Sequence, residues 1–230
     1  MSALTALLLA TPLFGFSLEV DTSLAEPPAS IVIDVDAVLA VTVPTQLDEP
    51  GEPTTADLVR RRAKIANVHK WLGISTWAMM TVTVALGIVQ YYNLYGGAKV
   101  EDTPCVKGDA LLGQKSCDGQ PLPHLITASL TGALYFTTFG LSFAMPDPLG
   151  VSEGDSKFAK RLRTHKILRW VTFGGMLAQI LLGVIISNSE AFGLDRANNY
   201  GALRALATTH LAIGGVTYGA LTWAGAIMLR

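Results

Sequence analysis

The chain contains four histidines, His69, His124, His165 and His210, and their placement is the first chemical signal in it. Each stands at or near the start of a long uncharged stretch: Trp71–Val89, His124–Met145, Trp170–Ser189 and Ala205–Leu229. A neutral imidazole is a metal ligand, a proton carrier or a buried hydrogen-bonding group. One imidazole per apolar stretch, at similar depth, favours the first of these.

The surrounding residues repeat. His69-Lys70-Trp71-Leu72 is followed by Leu86-Gly87-Ile88, and His165-Lys166-Ile167-Leu168 by Leu182-Gly183-Val184; the Leu-Gly pair comes 17 residues after the histidine both times. The other two stretches begin His124-Leu125 and His210-Leu211. The offsets are 96 residues for the first pair and 86 for the second, so a two-helix unit reads as duplicated, a familiar way of building membrane proteins.

The elements that must position these histidines follow from the composition. Charged residues are 15% of the 230, hydrophobic residues are 50%, and mean hydropathy is +0.40. Soluble domains carry roughly 25% charge. None of the four stretches contains Asp or Glu, and each has about the length a bilayer requires, roughly 20 residues. Backbone groups in lipid must be satisfied within the segment, so these are helices. The fold class is an all-α membrane protein, a four-helix transmembrane bundle running up-down-up-down. Pro146 stops the second helix, and Tyr91, Tyr92 and Tyr95 end the first as an interfacial aromatic belt.

Topology sorts the histidines into two pairs. Helices one and three run the same way, which puts His69 and His165 near one face; two and four run oppositely, which puts His124 and His210 near the other. One and three lie on one diagonal of a four-helix bundle, two and four on the other. Two imidazoles facing across a diagonal leave a gap that a flat cofactor fills, and imidazole is a standard axial ligand of haem iron. Bis-imidazole ligation closes both axial positions and favours electron transfer. Ala128, Ser129, Gly132, Ala133, Gly174, Gly175, Gly214, Gly215, Gly219 and Ala220 leave room for a bulky group, although small residues also serve ordinary helix contact in membranes. A zinc site requires convergent ligands, whereas the two pairs stand about 20 Å apart at 1.5 Å per residue. A proton or cation transporter would place carboxylates in its helices.

One histidine on each of four consecutive helices, paired one-three and two-four, resembles the core of the cytochrome b561 family. The likeness covers about residues 62–229. It implies two non-covalent b haems relaying single electrons, with His69 and His165 as axial iron ligands of one and His124 and His210 of the other. The chain departs from the eukaryotic members, which have six spans, in lacking a span after Leu229. Its first connecting loop is longer than usual, and it has no ascorbate-binding motif to match. Small bacterial relatives, unlike this chain, place two ligands on one helix.

The remaining features bound the setting. Residues 1–59 hold nine acidic and no basic residues, while residues 60–230 hold all 17 basic and the other nine acidic ones. The domain reading is therefore an acidic N-terminal tail, 1–59, and a four-span haem-binding core, 60–230. Arg60, Arg61, Arg62, Lys64, Lys70, Lys157, Lys160, Arg161, Arg163, Lys166, Arg169 and Arg230 flank one face. Lys99, Lys107, Lys115, Arg196 and Arg204 flank the other. By the positive-inside rule the first face is cytoplasmic, here that of a bacterial inner membrane. Cys105 and Cys117 would then lie outside, where they either pair as a disulfide or remain two free thiols.

In the tail, Ala3–Leu18 reads as a secretory signal ending near Ser23-Leu24-Ala25, as an extra span containing Pro12, or as an interfacial or buried segment. Ile31–Val43 reads as a strand, and Asp48–Pro53 as a linker.

Haem propionates would be met among Arg62, Lys64, Lys70, Lys166 and Arg169 on the basic face, and by Lys99 or Arg204 on the other. The functional expectation is a diheme electron carrier in a membrane redox chain, with a quinone, a cytochrome or a reductase subunit as donor and acceptor. The alternatives are a haem-bearing anchor or quinone-interacting subunit of a larger oxidoreductase complex, and a non-haem transporter or structural protein. Nothing points to nucleic acid.

Overall fold

The computed structural model describes residues 52–117 and 122–229. The signal, span and strand readings of the tail, most of its linker, and Arg230 lie outside these residues. Among the described residues all regular structure is helical. Four long helices carry the fold: α1 (Thr55–Tyr95), α2 (Leu122–Ala144), α3 (Lys157–Ser187) and α4 (Arg196–Leu229). All four are long and apolar enough to cross a membrane, and the protein is a multi-pass integral membrane protein.

The helices outrun the apolar stretches that announce them. At 41 residues, α1 is about 60 Å long, twice a hydrocarbon core of about 30 Å. Its start is fixed outside the apolar run by a capping box. Thr54 Oγ1 accepts from the Asp57 amide at 3.2 Å, and Asp57 Oδ2 accepts from the Thr54 amide at 3.3 Å. Ser156 caps α3 in the same way, accepting from the Ala159 amide at 3.0 Å. α2 stops at Ala144, just before the Met145-Pro146 pair that cannot continue it. α4 kinks at Asn199, whose φ of −117° and ψ of 23° leave the helical region.

α1 packs along α2 and α3 along α4, so the two hairpins of the sequence repeat are two hairpins in space. α1 also lies along α4, while the backbones of α2 and α3 stand farther apart and large side chains bridge them, Phe139 stacking on Phe173 with ring centres 4.6 Å apart. The cyclic order is α2-α1-α4-α3, with α1 and α3 on one diagonal and α2 and α4 on the other. Few side chains are buried, and large apolar ones such as Trp71, Leu181, Val216 and Trp223 are more than half exposed. A soluble protein rarely shows so broad an apolar surface; here it is the lipid-facing side. Hydroxyls join the helices where they meet: Thr83 with Thr131 at 2.9 Å, Thr81 with Tyr218 at 2.9 Å, and Tyr135 with Thr172 at 3.1 Å.

The tyrosines at the end of α1 divide, where the sequence suggested one aromatic belt. Only Tyr92 is exposed. Tyr95 is buried against Tyr200 and Leu203, and the Tyr91 hydroxyl contacts that of Thr208 at 2.9 Å. Helical spacing explains this, because Tyr91 and Tyr95 are four apart and share the face toward α4.

The loop after α1 is closed by a Cys105–Cys117 disulfide with Cα atoms 5.6 Å apart. Asn93 fastens it to the helix end. Its side chain is fully buried, its Oδ1 accepts from the Leu111 amide at 2.9 Å, and its Nδ2 donates to the Leu111 carbonyl at 2.9 Å and to Ser116 Oγ at 3.0 Å. Replacing Asn93→Leu orphans the Leu111 amide, a loss of about 1–3 kcal/mol. Trypsin cleavage at Lys107 and Lys115 is expected to accelerate about tenfold or more. An unchanged rate would show that the disulfide alone holds the loop.

Candidate functional site

The four histidines meet as two pairs, one toward each end of the bundle. His69 of α1 faces His165 of α3 at the basic end, with ring centres 6.0 Å apart and ring planes at 76°. His124 of α2 faces His210 of α4 toward the disulfide end, at 6.4 Å and 77°.

Three of the rings are held the same way. His69 Nδ1 lies 3.0 Å from the Thr138 carbonyl, His124 Nδ1 3.1 Å from the Thr83 carbonyl, and His165 Nδ1 3.0 Å from the Ala224 carbonyl. A carbonyl oxygen only accepts, so each Nδ1 carries the proton and donates it. Nε2 is then the bare lone-pair nitrogen, directed away from the carbonyl. This is the tautomer and the second partner that metal-bound histidines characteristically have. His210 differs: its Nδ1 is buried and has no partner among the described residues.

Glycine provides the room. A Cβ on Gly87 would lie 3.0 Å from His124 Cε1 and 3.3 Å from its Nδ1. A Cβ on Gly183, the equivalent position in the second hairpin, would lie 3.5 Å from His210 Cε1. At Gly87 of the Leu-Gly marker α1 therefore yields space to the histidine of its neighbour, whereas at Gly183 an added Cβ would make only an ordinary contact. Among the other small residues, Gly132, Gly174, Gly215 and Gly219 would meet nothing within 4 Å. Gly175 lets α3 approach Thr217 of α4, and its role is helix contact.

The geometry permits a test of fit to haem. A transition metal binds imidazole nitrogen at about 2.0–2.1 Å, and the ring centre lies about 1.1 Å beyond, so two rings on one iron sit about 6.3 Å apart. Both pairs match within a few tenths of an ångström. Metal-free ring pairs also fall within about 4.5–7 Å. In the His69–His165 pair both rings donate Nδ1–H to a carbonyl, so each presents only an acceptor nitrogen, and two acceptors do not bond one another without an electron-pair acceptor between them; in the other pair only His124 is fixed in this way. Among the described residues no three His, Cys, Asp or Glu side chains converge, the arrangement a bare zinc ion takes. Two protein ligands per metal is the arrangement of a six-coordinate, electron-transferring haem.

The basic residues named for propionates separate. Arg62 pairs with Asp147 at 3.0 Å and donates to the Pro146 carbonyl at 2.8 Å, which ties down the loop between α2 and α3. Lys166 donates to Ser152 Oγ at 2.8 Å in that loop, and Lys70 lies over the Trp71 ring. Arg169 stands one turn beyond His165. It donates to Ser142 Oγ at 3.0 Å, lies 4.3 Å from the Phe143 ring centre, and keeps a buried Nε with no partner. A guanidinium with an unused buried donor beside a histidine pair suits a carboxylate. No structural contact ties Lys64, Lys99 or Arg204 to either pair.

The sequence did not reveal the acceptors Thr83, Thr138 and Ala224. They act through backbone carbonyls, for which residue type carries no signal. The repeat itself was the available clue: Thr138 and Ala224 each stand 14 residues after the histidine of their own helix.

Comparison with family models, with curated proteins and with solved structures returned no match.

Gly87→Val is expected to force the His124 ring from its place and, where each pair holds one haem, to cut haem incorporation to about half. Gly174→Val, where the added Cβ meets nothing within 4 Å, is expected to leave it intact. Absorbance per protein at the Soret band checks both; equal haem content in the two variants would contradict this account of Gly87.

Proposed function

We propose that the protein is a diheme b-type cytochrome that passes single electrons across its membrane. The observation carrying this reading is the pair of facing imidazoles at each end, with three of the four rings fixed through Nδ1 so that Nε2 is free to ligate. The resemblance of residues 62–229 to the cytochrome b561 core points the same way.

In this reading His69 and His165 hold one haem and His124 and His210 the other. Bound haem supplies a reversible one-electron change at iron. The protein contributes the rest. The carbonyls of Thr138, Thr83 and Ala224 fix the tautomer and strengthen the histidines as donors. The helices exclude water, and burial together with ligand strength sets the potentials. Arg169 offers its free Nε and guanidinium charge to a propionate at the basic end.

The basic end is assigned to the cytoplasm, following the excess of Lys and Arg there. A membrane quinone, a cytochrome or a reductase subunit suits as donor and acceptor.

The test is a haem count by pyridine haemochrome on purified protein expressed with ample haem. Two b haems per chain are expected. His69→Ala and His165→Ala should each remove or perturb the same haem, and His124→Ala and His210→Ala the other. Absence of haem would overturn the proposal, and loss of the same haem in His69→Ala and His124→Ala would overturn the pairing.

A further inference from the structure

The two hairpins repeat the same spacing of histidine and Leu-Gly, which makes the differences between His124 and His210 informative. His124 is held twice over. Its Nδ1 donates to the Thr83 carbonyl at 3.1 Å, and its ring is wedged against Gly87, where an added Cβ would lie within 4 Å of three ring atoms. His210 has neither restraint. Its Nδ1 is buried without a partner, and an added Cβ on Gly183 would come within 4 Å of Cε1 alone, at 3.5 Å.

The repeat offset of 96 residues puts Gln179 where the first hairpin has Thr83. The Gln179 carbonyl does not take the imidazole proton. Instead the Gln179 side chain donates from Nε2 to the His210 backbone carbonyl at 2.7 Å. It steadies the helix and leaves the ring free. Both histidines of the other pair, His69 and His165, have their carbonyl partners.

A hydrogen bond at Nδ1 does two things for a ligating imidazole: it fixes the ring's orientation and raises its basicity. A ring without that bond is the weaker donor and turns at less cost. We infer that His210 is the displaceable ligand of the four, so that the His124–His210 pair, and not His69–His165, opens a coordination position to a small neutral π-accepting ligand such as carbon monoxide. This rests on the haem reading above. In the exchange the iron–Nε2 bond of His210 breaks and an iron–carbon bond forms; no electron or proton changes hands, and His124 remains as the opposite ligand.

The experiment uses purified protein already shown to carry two haems, reduced with dithionite and titrated with carbon monoxide. Half of the haem is expected to give the carbon monoxide difference spectrum. The rate should level off at high carbon monoxide, because departure of His210 limits it. His210→Ala, loaded so that His124 still holds the second haem and both haems are counted, should leave the reacting fraction at half and make the rate rise in proportion to carbon monoxide. Gly183→Ala, which adds an ordinary contact beside the ring, should slow the wild-type reaction several-fold.

No uptake by protein carrying both haems would overturn the inference and leave the cytochrome reading intact. A rise in the reacting fraction from half to all in His210→Ala would also overturn it, because carbon monoxide would then have been entering the other pair. Protein without haem would fail the cytochrome reading itself.

Discussion

The structure depends on what an imidazole can bond to inside a membrane. A carbonyl inside a helix already accepts from its own amide ladder, but it keeps a second lone pair, and lipid offers no competing water. His69, His124 and His165 each donate Nδ1–H to such a carbonyl on the neighbouring helix. The first hairpin is thereby fastened at both ends, α1 to α2 through Thr138 and α2 to α1 through Thr83. The second is fastened through a histidine ring at one end only, α3 to α4 at Ala224, and at the other by Gln179 Nε2 donating to the His210 carbonyl. The same bonds that clamp the helices determine which nitrogen remains bare, so helix packing and ligand chemistry are one constraint.

Duplication extends this over the thickness of the membrane. His69 and Thr83, the latter marking the level of His124, are 14 residues apart on α1, about 21 Å along the axis. Two sites at that spacing, one toward each end, suit a relay. The repeat has since diverged locally. Where α1 has Gly73, α3 has Arg169, whose guanidinium lies among Phe139, Phe143 and Trp170 on the aromatic-filled α2–α3 side. Where Thr83 receives a ring proton, Gln179 supports a backbone carbonyl instead. The two sites are thus alike in their histidines and unlike in their surroundings, and in the haem reading that difference would set two potentials.

The spans and the pairing of histidines were legible because both are written in residue type and spacing: uncharged stretches of bilayer length, and one imidazole on each. The helix lengths were not, because α1 and α3 continue through charged residues that follow a local cap at Thr54 or Ser156 and no hydrophobic period. Tyr91 and Tyr95 were misread as a belt because tyrosine suits both an interface and a helix contact; only the position of α4 decides between them. Arg62 was grouped with the propionate candidates, and its real partner, Asp147, is 85 residues away across a loop whose path the sequence does not give. The Nδ1 acceptors lay beyond any reading of side chains.

The central claim is that each facing pair shares one iron, with ring planes near 76° and 77°. Ring-plane angle governs the electron paramagnetic resonance of low-spin ferric haem: near-parallel imidazoles give rhombic spectra, and near-perpendicular ones give strongly anisotropic spectra with a single large g value prominent. Spectra of the oxidised, purified protein at liquid-helium temperature therefore test the ligands and their geometry together. The account predicts two low-spin ferric centres, both of the strongly anisotropic kind. Rhombic low-spin spectra, high-spin haem, or no haem signal at all would contradict it.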